Sequence, residues 1–360
     1  MVTTEFAGFL AGRSAATLSI SPCITVPQYF SDAADEHLAT RRAAGLFDFS
    51  FMYCVEIAGA GSRDFLHALQ TRTVDALARG RIAYTLLLRD DGSVLIDATV
   101  WRHDDECYWL FTGRRGDADY IAQAARGYAL KLNDRSTLQA VIAIQGPSST
   151  RILGRTLGDG GIHALRYFEF KKIVFAQRDC WVARIGYSGE LGYELVIADA
   201  AAPRLWGALH AAGQGDGLRE CGFAAADSLR IEAGHVLFTR ELAAAATPAE
   251  LGLTRLMDFS RTGYRGAAAV RAQRWREPPR RLVGLLPISR ANQVAGPTND
   301  NAHITSRSWS PVFARELALG FVPSDCAYPG TRVTLAGGER AEVARLPFYD
   351  PARRLPRRAP

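Results

Sequence analysis

The clearest pattern of apolar and polar positions lies between Arg81 and Trp101, where the chain reads RIAYTLLLRDDGSVLIDATVW. Two apolar runs, Ile82–Leu88 and Val94–Trp101, flank Asp90-Asp91-Gly92. An Asp-Gly pair between such runs predicts a β-hairpin. Asp97 then falls in mid-strand among Val94, Leu95, Ile96, Ala98 and Val100. A desolvated carboxylate is costly unless it is neutralised, paired or hydrogen-bonded. Two readings of Asp97 stand: a residue facing solvent from a half-exposed strand, or a buried acid kept for its chemistry.

The same periodicities organise the rest of the chain. Residues 1–30 read as irregular, with Pro22 and Pro27 opposing any helix. Residues 33–44 (AADEHLATRRAA) predict a helix stopped by Gly45. A strand over Met52–Ile57 leads through Gly59-Ala60-Gly61 to a helix over Ser62–Leu69, with Ser62 placed to cap it. This imitates a dinucleotide-binding turn, but Asp64 stands where the third glycine belongs. After the hairpin come a strand 107–112, a helix 117–128 and a strand 138–144. Middle strands joined by tight turns predict one antiparallel α+β layer between 51 and 145.

Further on, Gly186, Gly189 and Gly192 punctuate RIGYSGELGYEL between strands 181–185 and 193–197. The run is too short for a P-loop and lacks the last glycine of a G-x-S-x-G elbow, so it predicts a turn that brings the backbone close to something. Helices are expected over 148–157, 202–212, 224–233 and 265–274, and beyond Pro278-Pro279 the short runs LVGLLPI, LALGFV, TRVTLA and AEVARLPF predict a small all-β domain.

Composition narrows the class. With 360 residues, 48% hydrophobic and 22% charged, the chain has the profile of an ordinary globular protein of two or three domains. The net charge of +6 comes from scattered basic residues, except in RWREPPRR (274–281) and the terminal stretch 353–357. The first reads as a linker and the second as a solvated tail; neither is a basic stripe interleaved with aromatics, so nucleic acid is not the expected partner. Only Lys131, Lys171 and Lys172 are lysines. Six widely spaced cysteines (Cys23, Cys54, Cys107, Cys180, Cys221, Cys326) predict reduced, mostly buried thiols in a cytoplasmic protein. The N-terminus has no basic start followed by an apolar core, and no apolar run approaches ~18 residues, so neither a signal peptide nor a membrane span is expected. The seven histidines form no metal-spaced pair. Chemistry is left to carboxylates and backbone amides.

Nine stretches, in order, resemble one family, the folate-dependent aminomethyltransferases: the T-protein of the glycine cleavage system and its relatives. They are DEHLATRRAAGLFDFS (35–50), Tyr84 with LLLRDDGSVLID (86–97), AIQGPSS (143–149), RIGYSGELGYE (184–194), CGFAAADSLRIEAG (221–234), TPAELGL (247–253), RRLVGL (280–285), SPVFARELALGFV (310–322) and LPF (346–348). The resemblance implies an α+β protein of three lobes, with antiparallel sheets and flanking helices. Residues 1–275 would form a folate-binding region of two interleaved lobes, one centred on about 51–145, and residues 280–355 a β-barrel or jelly-roll domain. It also implies tetrahydrofolate in the central hole. Asp97 matches the family's catalytic aspartate and Glu194 the glutamate that grips the pterin. Tyr84, Tyr187 and Met52 match positions lining the pterin slot. Arg230, one helical turn beyond Ala226, is a candidate for anionic parts of the ligand.

Several positions depart from the family pattern. Ala226 replaces a folate-contacting arginine, Arg89 an asparagine, Phe51 a histidine and Ile96 the first acid of a D-D pair; Thr112 replaces an asparagine and is kept among the binding candidates. Loss of one charge-assisted contact costs about 1.5–3 kcal/mol, so weakened folate binding is expected. The readings are an aminomethyltransferase working with a lipoyl carrier protein, a folate-dependent demethylase or methyltransferase acting on a small N-, O- or S-methyl compound, or an enzyme of this fold that no longer uses folate. A non-catalytic folate-binding relative is disfavoured because GHVLFTREL (234–242) lacks the Cys and Gln of the K-G-C-Y-x-G-Q-E signature.

Overall fold

The computed structural model describes residues 4–21, 24–288, 302–335 and 338–358. The hairpin forms as its sequence dictates: Ile82–Leu88 and Val94–Arg102 pair antiparallel, with Tyr84 opposite Thr99 and Leu86 opposite Asp97. Gly92 supplies the left-handed turn residue at φ +84°, and Asp91 Oδ1 accepts from the Ser93 amide and hydroxyl at 2.9 and 2.7 Å. The hairpin is the edge of a five-stranded antiparallel sheet that continues through Cys107–Thr112, Tyr53–Ala58 and Lys131–Asp134. Helices Ser62–Leu69 and Ala118–Ala124 bury Phe65, Leu66 and Ile121 on its outer face.

A second, six-stranded sheet runs in the order Phe170–Phe175, Arg178–Ala183, Gly192–Ala198, Gln139–Gln145, Gly45–Asp48, Arg219–Glu220, and only its last pair is parallel. Helices Glu5–Ala11, Ser149–Leu157 and Ala202–Gly213 cover its outer face. The inner faces of the two sheets meet across one apolar layer, with Cys54, Trp101, Trp109 and Phe111 against Phe47, Val141, Ala143, Ala183 and Val196. A five-stranded antiparallel C-terminal sheet packs Leu317 and Leu319 against Ile231 of helix Phe223–Glu232. No helix among the described residues is long and apolar enough to cross a membrane.

Several expectations are corrected. The segment before residue 30 is ordered: Thr4 caps helix Glu5–Ala11, and Ala16–Ser21 pairs with Ile24–Tyr29. Pro27 is tolerated because this two-stranded ribbon has no central strand, and it sits beside a register shift. Pro22 and Cys23 lie outside the described residues. Helix Ala33–Arg42 ends before Gly45, which opens a strand instead of capping; a side chain there would run into Thr40 Oγ1, Phe47 and the Cys221 thiol. Gly61, not Ser62, holds the cap position of Ser62–Leu69. Gln139–Gln145 belongs to the second sheet, where all seven of its residues are buried, as a central strand covered on both faces requires. The polar Lys131–Asp134 closes the first sheet in its place. The predicted helix 117–128 shrinks to Ala118–Ala124 after a single 3-10 turn. Cys54, Cys180 and Cys221 are buried, Cys107 and Cys326 half-buried, and no disulfide occurs among the described residues.

Buried ion pairs hold the packing together. The Arg230 side chain, fully buried, donates to Asp227 Oδ1 at 2.8 Å, Glu241 Oε2 at 2.9 Å and Ser306 Oγ at 2.7 Å. It thereby ties helix Phe223–Glu232 to the segment after it and to the C-terminal sheet. Arg230→Met should lower the unfolding free energy by about 3–5 kcal/mol, because the buried Glu241 carboxylate is left without its cation. Urea denaturation measures this; a loss below about 1 kcal/mol would show that the pair contributes no more than a surface ion pair.

Candidate active site

Strand alternation selects the face that carries the site. Tyr84, Leu86, Asp97 and Thr99 share the face of the first sheet that also carries Trp101 and Phe111, the face turned towards the second sheet. At the Ile82–Trp101 end this face is packed against the second sheet; at the hairpin end Leu86 and Leu88 pack under Val236, Leu242, Leu251 and Leu256. Asp97 lies where the two coverings meet, half-buried. The Tyr84 hydroxyl donates to Asp97 Oδ2 at 3.0 Å. Burial pushes the Asp97 carboxyl up to about 6, although the Tyr84 bond pulls the other way. Burial and the neighbouring Asp97 charge in turn raise the Tyr84 phenol well above its ordinary range.

Tyr187 joins this pair. Its hydroxyl donates to the Val236 carbonyl at 2.6 Å, its edge meets Phe49 at 6.5 Å, and its phenol is raised chiefly by burial, with Asp97 among the charges it senses. The carbonyl of the same residue accepts from His235 Nδ1 at 3.1 Å.

Glu194 stands in strand Gly192–Ala198 with Ala143 and Ala183 as its cross-strand neighbours. Both alanines belong to the inter-sheet layer, so the carboxylate projects towards that layer, the side to which the Asp97 face of the first sheet is also turned. Glu194 is 8% exposed, no hydrogen bond or ion pair from the described residues reaches it, and its oxygens keep access to solvent. Burial alone pushes it up to about 7. Buried polar groups are normally satisfied by the protein, and here the two nearest partner strands present only methyl groups. Met52 is half-buried against the aromatic wall of the layer.

Two candidates do not join this group. Thr112 pairs with Ala98 and Tyr53, which puts it on the opposite face of the sheet, and its hydroxyl donates to the Arg114 carbonyl. Arg230 is spent on Asp227, Glu241 and Ser306 and is fully buried, so it is not available to an anionic ligand. Ile96 also faces away, into the core under the outer helices. Arg89 closes the hairpin by donating to Ser93 Oγ and the Val94 carbonyl. Ala226, 4% exposed, lines a small pocket with Val26, Pro27, Phe47, Phe49 and Phe223, to which Asp48 adds a carboxylate. The glycine run is explained by Gln145: its carboxamide occupies the space that side chains at Gly186 and Gly192 would need.

A cleft unmarked in the sequence adjoins the layer. Tyr167, His235, Pro347, Tyr349, Arg353 and Arg357 line it. The Tyr167 phenol is raised by burial and senses the Glu194 charge, which places the cleft within electrostatic reach of that carboxylate. The terminal segment that reads as a solvated tail is docked: Arg184 donates to the Pro356 and Arg358 carbonyls, and the Glu232 carbonyl accepts the Phe348 and Tyr349 amides. The apolar pair Phe348-Tyr349 after Pro347 was the available signal, masked by the arginines that follow.

Two family models match the sequence, the GCVT N-terminal domain over residues 13–261 and the glycine cleavage T-protein C-terminal barrel domain over residues 280–350. An aminomethyltransferase of Streptomyces avermitilis is 35% identical over 347 residues, covering 90% of this chain and 91% of its own. One of Geobacillus kaustophilus is 34% identical over 337 residues, covering 90% and 92%. The crystal structure of glycine cleavage system aminomethyltransferase T from Bartonella henselae has a TM-score of 0.82 at 24% identity, covering 96% of this chain and 97% of that one, a likeness of fold.

The two inner carboxyls make stability depend on pH with a definite sign. Their ordinary values are 3.8 and 4.5, and in the folded chain they rise to about 6 and about 7. Folded protein therefore keeps protons that unfolded chain has lost, and the stability contributed by these groups is present below about pH 4 and is lost as pH rises towards 7. The stability of the double variant Asp97→Asn, Glu194→Gln relative to the unsubstituted protein should increase as pH is raised from about 5 to about 8. Thermal midpoints across that range test it; a constant difference would mean that neither carboxyl is shifted.

Proposed function

Because this chain belongs to the family of glycine cleavage T-proteins, the aminomethyltransferases, we propose that it is a tetrahydrofolate-dependent transferase of one-carbon groups, aminomethyl or methyl. The observation that carries the reading is Glu194, a buried carboxylate with no donor of its own among the described residues. A pterin presents adjacent N–H and NH2 donors on one edge, and a single carboxylate accepts both in a charge-assisted pair. Tyr187 and Met52, packed against the inter-sheet layer, and Tyr84 beside Asp97 supply flat or polarisable surfaces for such a guest. When bound, tetrahydrofolate supplies the ring nitrogen that takes up the one-carbon unit.

The chain's own part is orientation and proton handling. Asp97, mostly ionised at neutral pH with a carboxyl near 6, accepts the proton that the acceptor nitrogen gives up. Tyr84, donating to Oδ2, fixes how that carboxylate faces the ligand. The apolar walls of the inter-sheet layer limit water around both.

For the donor, Ala226 leaves a small N-, O- or S-methyl compound standing beside an aminomethyl group presented by a lipoyl carrier protein. The family's charged folate contact is replaced there by an alanine among Phe47, Phe49 and Phe223, with the Asp48 carboxylate in the same lining, so the position offers no cation to a ligand. The same replacement weakens folate affinity by roughly ten- to a hundredfold.

Calorimetric titration of tetrahydrofolate tests the reading. Glu194→Ala should lose at least about tenfold in affinity, and Asp97→Asn should keep binding while losing turnover. Affinity should rise between pH 6 and 8 as Glu194 gives up its proton, with proton release visible as a buffer dependence of the measured heat. Absence of binding at about millimolar ligand would overturn folate dependence and leave an enzyme of this fold with another ligand in the layer.

A further inference from the structure

His235 stands beside these groups with one ring nitrogen unused. It follows helix Phe223–Glu232, and its backbone is pinned at both ends to Arg230: its amide donates to the Arg230 carbonyl at 2.9 Å, and its carbonyl accepts from Arg230 Nη1 at 3.1 Å. The ring lies over Tyr187 with centroids 5.6 Å apart and planes 27° from parallel. Nδ1 is 3.1 Å from the Tyr187 carbonyl oxygen. A carbonyl only accepts, so Nδ1 carries the proton, and this fixes the tautomer.

Burial holds the imidazole neutral, with its pKa down at about 4; the bond to Tyr187 is next in size and opposes it, and the guanidinium groups of Arg353, Arg230 and Arg255 each add a smaller push downward. Nε2 is therefore a bare lone pair on a residue that lines the cleft, and it has no partner among the described residues. The cleft's other polar side chains are Arg353 and Arg357, which only donate, the phenols of Tyr167 and Tyr349, and Asp350, whose carboxylate already accepts from the Leu355 amide at 2.7 Å. A ring locked in one tautomer, stacked on a site tyrosine and presenting an unused neutral acceptor to the cleft, is suited to reading a donor on a bound molecule.

We propose that His235 is a specificity-determining residue whose Nε2 accepts a hydrogen bond from an N–H group of the reduced folate lying against Tyr187. This rests on the folate reading above. The competing role is purely structural, in which His235 only holds the Tyr187 carbonyl through Nδ1.

Two substitutions separate the roles, because the asparagine carboxamide overlays Nδ1 of histidine and the glutamine carboxamide overlays Nε2. His235→Asn preserves the bond to Tyr187 and removes the acceptor in the cleft; His235→Gln does the reverse. Anaerobic titration of tetrahydrofolate into the full chain should show His235→Asn weakened about three- to tenfold and His235→Gln within about twofold of the unsubstituted protein. In 15N spectra, the Nε2 resonance, assigned by its loss in the Asn variant, should move upfield when tetrahydrofolate is added. Unchanged affinity in His235→Asn, or an Nε2 resonance unmoved by ligand that does bind, overturns this proposal and leaves the folate reading standing. If the unsubstituted protein binds no tetrahydrofolate, both fall together.

Discussion

The Glu232 carboxylate is the point on which the architecture turns. It is fully buried and accepts from Arg41 Nε and Nη2 at 3.1 and 2.7 Å and from the Ser310 hydroxyl, while His37 Nε2 stands 3.1 Å away. Burial disfavours its charge, yet these partners more than offset that, and its pKa is held below the ordinary value. Arg41 carries the connection onward to the Ser188 carbonyl and Glu190 Oε1 of the glycine-rich run, with its guanidinium 3.9 Å above the Tyr349 ring. One acid thus joins helix Ala33–Arg42, helix Phe223–Glu232, the turn ahead of Glu194 and the C-terminal sheet. Such a network is costly to break on one side, since each remaining charge would be stranded in the interior.

This rigid ionic junction contrasts with the neighbouring layer, where two carboxyls are kept poorly satisfied. Asp97 has one phenol for a partner and Glu194 has none among the described residues. Left to itself that arrangement destabilises the fold as the carboxyls ionise, and a ligand bringing its own donors would relieve it. Sites that bind polar rings in dry surroundings are built in this way, with acceptors positioned beforehand by a frame stable enough to tolerate them.

How much of this could be read in advance follows the range of the interactions. The hairpin and the mid-strand position of Asp97 were legible because Asp91-Gly92 and the flanking apolar runs are local. Glu194 was identified through family resemblance alone; nothing around it in sequence tells that Ala143 and Ala183 flank it from other strands. Sheet membership failed for Gln139–Gln145 because an apolar run cannot say which sheet will bury it. The ion pairs of Arg230 are hidden from the sequence because its partners Glu241 and Ser306 lie 11 and 76 residues away, and the side of Thr112 because the face on which a strand's last residue falls depends on register. His235 and Tyr167 carry no local mark at all.

The docked terminal segment makes assembly of the cleft a late event. Asp97 and Glu194 can be set in their layer once both sheets have formed, but the wall made by Tyr349 and Arg353 comes from residues more than 150 positions after Glu194 and is anchored on the Glu232 carbonyl. During synthesis the growing chain would hold an open groove long before it holds an enclosed one. Enclosure of the cleft is thereby coupled to the arrival of the last strands and the segment behind them.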